Sequence, residues 1–348
     1  MRARRSLGHV GRRRVVQRGF VLVATLWVLA LVAVVAGFFA ERLGQARAQA
    51  QAAQARAQAL VDLSGARADV LYRLATTPVS LYGLGLPPEA LALDDRPYRS
   101  VGDTLVQVQD NRGLLNMNMV DDARLNRFLG VLGVPAERRS ALVDALRDYV
   151  DEDALKRLNG AEAQEYAAAG LPPPRNAKLV APLEAKRVFG WAQTPQLWRN
   201  DALQRLTTTG TSYSMNPNTA PWQVLAAMRN MTPEGVQALL AARKIAPITS
   251  AQQVMALTGV PVETDPMLTE VVVLPADSWR VTQQAPGMGW GWRYNVSLTP
   301  VSDFAPWRID YFYRVELPTQ NVQPQAPSPL PERSAGPAVT APGLFPTP

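Results

Sequence analysis

The feature that most constrains this chain is an uninterrupted apolar run, Phe20–Ala40, FVLVATLWVLALVAVVAGFFA, which carries no formal charge. At about 1.5 Å per helical residue the run would measure roughly 30 Å, the hydrocarbon thickness of a bilayer. The nineteen residues in front of it, MRARRSLGHVGRRRVVQRG, hold seven arginines and no acid. Arginines beside an apolar span stay on the cytoplasmic side. A secretory signal normally ends at a small-residue cleavage site, after which the apolar helix is lost. Here the chain turns polar at Glu41 and Arg42 without a helix breaker. Residues 41–75 are rich in Ala, Gln, Arg and Leu, which favour helix, and Leu60, Leu63, Val70, Leu71 and Leu74 fall near helical spacing. The reading is one continuous helix, roughly 80 Å long, with a membrane-compatible first half and last turns that pack on a globular domain. Thr77-Pro78 ends it.

The net charge narrows the chemistry. It is +7 in total, and the leader alone supplies seven arginines, so residues 20–348 sum to zero. The basicity is a topology signal and says little about nucleic-acid binding by the folded part. The only histidine, His9, lies in the leader, and there is no cysteine. Without the leader the chain has no Ser-His-Asp triad, no Cys nucleophile and no His or Cys ligand for zinc or haem. Disulfides are impossible, so the core must hold the fold. Carboxylate chemistry and oxygen-ligand metals remain.

Along the chain, residues 82–97 read as a loop and Thr104–Gln109 as a strand, and Asp110-Asn-Arg-Gly113 reads as a turn. From Leu114 to about Thr258 the pattern is helical: 123–132, 136–151, 160–169, 183–188, 195–206, 221–228, 234–242 and 251–257. Strand patterns return at 270–274, at 278–283, at Trp292, Tyr294, Val296 and Leu298, and at Ile309, Tyr311, Tyr313, Val315 and Leu317. The last two alternate apolar and polar, as antiparallel strands with one buried face do. Residues 318–348 contain nine prolines and read as a disordered or polyproline tail. The fold class expected is α+β: a long N-terminal pilin-type helix packed on a small antiparallel sheet, with a large all-α domain inserted between strands. The boundaries are a leader at 1–19, the helix at 20–76, an αβ domain at 77–112 and 269–317, the inserted helical domain at 113–268 and the tail at 318–348.

Inside the helical part, Asn116-Met-Asn118 and Asn216-Pro-Asn218 repeat an N-x-N signature one hundred residues apart. Asn bonds nearby backbone N–H groups, so each pair is expected to end a loop and cap a helix. The second copy runs on to Pro233-Glu-Gly-Val-Gln-Ala-Leu-Leu-Ala-Ala-Arg243 and resembles the helix-hairpin-helix modules of DNA-binding uptake and repair proteins. Its turn, Met231-Thr-Pro-Glu-Gly235, has a single glycine, an acid facing the phosphate position and no basic patch beside it, so no nucleic acid is expected.

A second resemblance covers nearly the whole chain. It is carried by Arg18-Gly19-Phe20, Gly113-Leu-Leu-Asn-Met-Asn118, Leu146–Asp153, Gly160-Ala-Glu162 with Tyr166, Leu183-Glu184 with Val188 and Gly190, and Asn216–Ala220. In this order the features resemble the K-type minor pseudopilin of bacterial type II secretion systems, general secretion pathway protein K. The resemblance implies a non-enzymatic subunit at the tip of the pseudopilus, single-pass in the inner membrane with its globular part in the periplasm. Its implied partners are the I- and J-type minor pseudopilins, the major pseudopilin and prepilin peptidase, which would cut after Gly19 and methylate Phe20. Ala24 stands where most pilin-type proteins place a glutamate at the fifth mature position, and its absence fits a subunit at a filament end. The same resemblance implies a structural calcium ion, with Asp151, Asp153 and Glu162 as candidate ligands. Asn116, Asn118, Gly160, Tyr166, Asn216 and Asn218 belong to the family motif as structural residues.

Three alternatives compete. Asp148, Asp151, Asp153, Glu162 and Glu165 could be a solvated helix end with ordinary surface ion pairs. For the chain as a whole, the competing class is a membrane-anchored DNA-binding protein of a competence or type IV pilus system. A membrane-tethered hydrolase has only unspecific carboxylates in its favour, and Trp191, Trp198 and Trp222 read as core and interface aromatics. Mass spectrometry of membrane fractions is expected to find a mature chain that begins at N-methylated Phe20. Any other N-terminus would remove the pilin-type reading.

Overall fold

The computed structural model describes residues 18–263, 270–317 and 327–331. The first seventeen residues of the leader and most of the Pro-rich tail lie outside the described residues. The chain divides into two units, one up to Gln58 and one from Ala59 onward. Helix α1, Arg18–Thr76, contributes to both. Within the first unit every side chain from Phe20 to Gln58 is exposed. Among the described residues this is the one helix long and apolar enough to cross a membrane.

The second unit contains the end of α1 and, in chain order, the following elements. A small hairpin of β1 (Val79–Ser80) and β2 (Gly83–Leu84) comes first. Then come β3 (Asp94–Arg99), β4 (Leu105–Asp110) and β5 (Leu115–Asn116). The helical lobe holds α2 (Asp122–Val131), α3 (Ala136–Val150), α4 (Ala163–Ala168), α5 (Pro195–Trp198) and α6 (Ala202–Leu206). It continues with β6 (Thr207–Thr208), α7 (Trp222–Ala226), α8 (Pro233–Ile245) and α9 (Ala251–Thr258). The chain ends with β7 (Ser278–Gln284), β8 (Trp290–Leu298), β9 (Trp307–Glu316) and β10 (Ser328–Pro329).

The main sheet has the order β10-β3-β4-β7-β8-β9. All its pairs are antiparallel except β10 on β3. The lobe leaves after β4 and returns at β7, which is β4's neighbour, so it is an insertion between adjacent strands of an α+β fold.

The last turns of α1 pack on one face of this sheet. Ala66, Val70 and Leu74 are buried against Tyr98, Val106, Val108, Trp279, Val281, Tyr294 and Val296, and Leu63 is buried one turn earlier. Ala66 takes the place in the stripe that the sequence reading gave to larger side chains, while Leu60 turns outward. A methyl at the contact lets a helix lie close to a sheet.

Several expectations are corrected. The sheet does not have one buried face. Its second face carries Gln109, Arg280, Thr282, Arg293 and Asn295, all buried, because the lobe covers it. The run 270–274 is not a sheet strand; Val271 makes a single parallel bridge to Met215. The alternation of Ile309, Tyr311 and Tyr313 does not put them on one face. Ile309 stands opposite Val296, whereas Tyr311 stands opposite Asn295 and Phe312 opposite Tyr294. A bulge at Asp310 switches the faces, as one extra residue does. Residues 94–97, read as the end of a loop, belong to β3, which tolerates Pro97 because its outer side is paired only with the short β10. The tail is not irregular throughout, since Ser328–Pro329 extends the sheet.

The lobe is tied to the sheet at its neck. Asp110, fully buried at the end of β4, accepts from Ala276 N–H (2.9 Å), Arg112 N–H (3.1 Å), Thr219 Oγ1 (2.8 Å) and Asn216 Nδ2 (3.0 Å). Burial holds its pKa above the ordinary carboxylate value, and these donors offset part of the rise. Beside it, Asn111 Nδ2 donates to Asn295 Oδ1 at 2.9 Å and to Ser278 Oγ at 3.0 Å. Arg112 Nη1 donates to the carbonyls of Leu274 (3.1 Å) and Pro275 (2.9 Å). Asp110→Ala should cost roughly 3 kcal/mol in chemical denaturation, because it orphans four donors inside the fold. A change within experimental error would show that the neck is held elsewhere.

Candidate functional site

Three groups of the residues singled out in the sequence can be located. Phe20 and Ala24 lie on α1, and Phe20 is exposed to 79%. Gly19 falls within the bounds of the same helix, without a described environment. Every side chain of Phe20–Ala40 is exposed.

The two N-x-N pairs form the same structure twice. Asn118 N–H donates to Asn116 Oδ1 at 3.0 Å, and Asn218 N–H donates to Asn216 Oδ1 at 3.0 Å. Asn118 Nδ2 then donates to the carbonyls of Leu179 (2.9 Å) and Thr209 (3.1 Å), and its Oδ1 accepts from Leu179 N–H (2.9 Å). Asn218 Nδ2 donates to the carbonyls of Ile248 (2.9 Å) and Val273 (3.1 Å), and its Oδ1 accepts from Ile248 N–H (2.7 Å). Each second asparagine therefore pins two distant stretches of backbone to the start of its repeat, while the helix caps expected of the pairs fall instead at Asp121 and Pro221. A short parallel pairing closes each copy: β5 on β6 in the first, and Met215 on Val271 in the second. The first asparagines differ. Asn116 Nδ2 donates to Gly210 and Ser212 carbonyls, both at 2.7 Å, whereas Asn216 reaches Asp110.

The run 231–235, read as the turn of a helix-hairpin-helix, is divided between the connection after α7 and the first turn of α8. Gly235 is inside the first turn of α8, and its N–H donates to the capping Thr232 Oγ1 at 3.0 Å. Arg243 of the same helix donates to the carbonyls of Pro217 (2.9 Å) and Ala220 (2.7 Å). The Gly235 N–H and the Arg243 guanidinium are thus engaged inside the lobe.

The acidic loop follows α3. Asp148 is fully buried and accepts from Arg157 N–H, at 3.3 and 3.2 Å to its two oxygens. A Cβ at Gly160 would collide with that carboxylate, which explains the glycine. Tyr166 is buried against Tyr149 and Phe189, and its hydroxyl accepts from Phe189 N–H at 2.8 Å. Burial pushes this phenol up to about 12. Glu165 stands apart from the acid group: Lys156 binds it at 2.7 Å and helps hold its pKa down at about 2. Asp122, at the start of α2, pairs with Arg147 (2.6 Å) and Arg157 (3.1 Å).

Asp148, Asp151 and Glu162 behave differently. Desolvation raises the pKa of each; Asp151 adds to the rise at Asp148, Asp153 to that at Asp151, and Asp148, Asp151 and Asp153 to that at Glu162. Asp151 Oδ1 and Glu162 Oε1 are buried with no hydrogen-bond partner. Among the described residues, no three acidic, His or Cys side chains are grouped tightly enough to hold a metal ion as they stand. The donor set itself is suited to a hard cation: oxygen ligands only, mutually repulsive, with two oxygens unsatisfied.

The sequence reading missed a second buried charge system. Arg280 Nη2 lies 2.9 Å from Asp95 Oδ2, and Arg293 pairs with Asp201. Arg280 also donates to the carbonyls of Gln204 and Arg205, which fastens the covered face of the sheet to the lobe. Charged residues in the middle of strands whose neighbours are apolar were the available signal.

Residues 103–247 match the family model described as Type II secretion system (T2SS), protein K. The matched segment comprises β4 and most of the lobe. No curated protein sequence matches the chain. Among solved structures, the chain is similar to one in the GspK-GspI-GspJ complex from the enterotoxigenic Escherichia coli Type 2 Secretion System. The two share 18% identity with a TM-score of 0.51, over 77% of this chain and 99% of that chain. A likeness at this identity establishes a shared fold.

The raised carboxylates give a pH dependence with a definite sign. A folded pKa above the unfolded value means that the native state holds the proton more tightly. The charged forms therefore oppose folding at neutral pH, and the penalty is relieved as pH falls through the raised values towards the ordinary carboxylate range near about 4. In chelator, Asp151→Asn should melt about 1–2 °C above the unsubstituted chain at neutral pH, and the difference should vanish on acidification. A difference that persists at low pH would assign the effect to packing. Gly160→Ala should destabilise by about 2 kcal/mol or more by displacing Asp148.

Proposed function

We propose that this chain is a K-type minor pseudopilin, which enters the type II secretion pseudopilus through α1 and initiates or caps its assembly. The observation that carries the reading is the combination, on one chain, of the protein K family match at 103–247 and an exposed apolar helix at its N-terminus. The exposed side chains of Phe20–Ala40 are suited to a bilayer and, during assembly, to the equivalent helices of neighbouring subunits. Burial of apolar surface at about 25 cal/mol per Å² makes such helix contacts the main source of binding energy where water is displaced. A single apolar helix behind an arginine-rich leader supports one crossing of the inner membrane with the second unit in the periplasm.

Filaments of head-to-tail subunits grow through open heterologous contacts. A lobe of the size of the 103–247 domain, attached to a filament-forming helix, favours a position at the filament end. Ala24 fits that position, because no carboxylate is available there to neutralise the amine of a neighbouring subunit. The similar Escherichia coli chain was solved together with GspI and GspJ, which supports I- and J-type minor pseudopilins as partners here. The major pseudopilin and prepilin peptidase follow from the same reading.

A structural calcium ion belongs to this proposal. Asp151, Asp153 and Glu162 would hold it, and Asp148 would contribute charge from beneath. The ion would satisfy the orphaned oxygens and cancel the repulsion among the acids. The DNA-binding alternative is not favoured, because Arg243 and the α8 N-terminus are engaged within the lobe.

Copurification from membranes that express this chain with I- and J-type partners should yield a stable complex, and charge substitution within Phe20–Ala40 should abolish membrane retention. Retrieval of the chain alone, or clear DNA gel shifts at moderate salt, would overturn the reading. Calcium at about 1 mM should raise the melting temperature at neutral pH, and Asp151→Asn should remove most of that response. An equal response in both proteins would place the ion elsewhere.

A further inference from the structure

The β3 edge of the sheet is occupied by a short piece of the chain's own C-terminal segment. Ser328 lies opposite Tyr98 and Pro329 opposite Arg99, parallel to β3. Leu330 N–H donates to the Arg99 carbonyl at 3.0 Å. The Leu330 side chain packs on the core cluster that includes Tyr98 and the buried stripe of α1. The attachment is slight. Ser328 and Pro329 are exposed, Pro329 and Pro331 have no N–H to give, and Pro97 removes another donor from β3 itself.

The register across the sheet measures the path this segment must take. Ser328, Tyr98, Val106, Gln283, Trp292 and Arg314 stand in one line across the six strands. Five strand spacings of about 4.8 Å put Ser328 roughly 24 Å from Arg314. Leu317 is three residues beyond Arg314, which makes its separation from Ser328 about 26 Å. The eleven residue steps from Leu317 to Ser328 reach at most about 36–40 Å. The segment can therefore meet its own β3 without a second copy, with only modest slack.

We propose that the β3 edge is a strand-acceptor site, and that Ser328–Leu330 fills it in cis as a displaceable strap. The ligand class is an extended, proline-tolerant segment that offers one main-chain N–H to the Arg99 carbonyl and one apolar side chain to the seat of Leu330. Strand addition of this kind draws its affinity from the main chain and its selectivity from alternate side-chain pockets. Any second segment of this chemistry must first displace the strap. The proposal rests on the sheet alone and stands or falls independently of the secretion reading.

The test uses the full chain in detergent and a fluorescent peptide corresponding to residues 326–332. Its anisotropy should show saturable binding to the Leu330→Asp chain at least tenfold tighter than to the unsubstituted chain. The same peptide carrying Leu330→Asp should bind neither. Hydrogen exchange at residue 330 should accelerate at least tenfold in the substituted chain, while β4 and β7 amides keep their protection. Deletion of residues 319–324 leaves five steps, about 18 Å at most, and should free the site in the same way without altering any residue of the sheet. Equal peptide binding by the unsubstituted and freed chains, no binding to the freed chains, or unchanged exchange at residue 330 would each overturn the proposal.

Discussion

The Asp110 carboxylate is the interaction on which the second unit depends. An insertion between two adjacent strands has a physical problem: its entry and exit must lie side by side, and the chain between them must return to the same register. Asp110 meets that requirement with four donors from three places, two near the neck itself and two from the second repeat of the lobe. A charge buried without such donors would cost several kcal/mol. The same group therefore fixes where the lobe begins, where it ends and how its second repeat faces the sheet. The buried Arg293–Asp201 pair and the bonds from Arg280 to the Gln204 and Arg205 carbonyls extend this fastening across the covered face.

Much of this was legible in the sequence because it follows from periodicity. The apolar run, the long helix, the helical lobe and its place between strands all come from patterns of spacing that the backbone enforces. β3 was not legible, since Asp94, Asp95 and Arg96 carry no alternation and Pro97 argues against a strand; its pairing depends on β4. The second buried face was hidden for a related reason. Arg280 and Arg293 look like solvent-facing positions of half-buried strands, and only the lobe, through Asp201 and the Gln204 and Arg205 carbonyls, makes them interior.

The motif residues divide along the same line. That each Asn pair makes a local turn can be read from two residues. That Asn118 and Asn218 also clamp backbone more than twenty residues away depends on the tertiary fold. Gly160 is similar: its need for a missing side chain becomes plain only once Asp148 is seen beneath it. Asp151, Asp153 and Glu162 were selected by the resemblance. The structure adds the unsatisfied oxygens of Asp151 and Glu162, a property of burial that no spacing rule contains.

The bulge at Asp310 has an effect beyond its own strand. Asp310 accepts from Asn295 Nδ2 at 2.8 Å and from Ser297 Oγ at 2.5 Å, so a carboxylate is held against β8 in the middle of the outer strand. A bent strand with an acid turned inward is a poor template for further pairing. At the opposite side the sheet is covered by β10. Long open strand edges carry a standing risk of edge-to-edge aggregation. Here both margins of the sheet are guarded, one by an irregularity in the strand itself and the other by a removable cover.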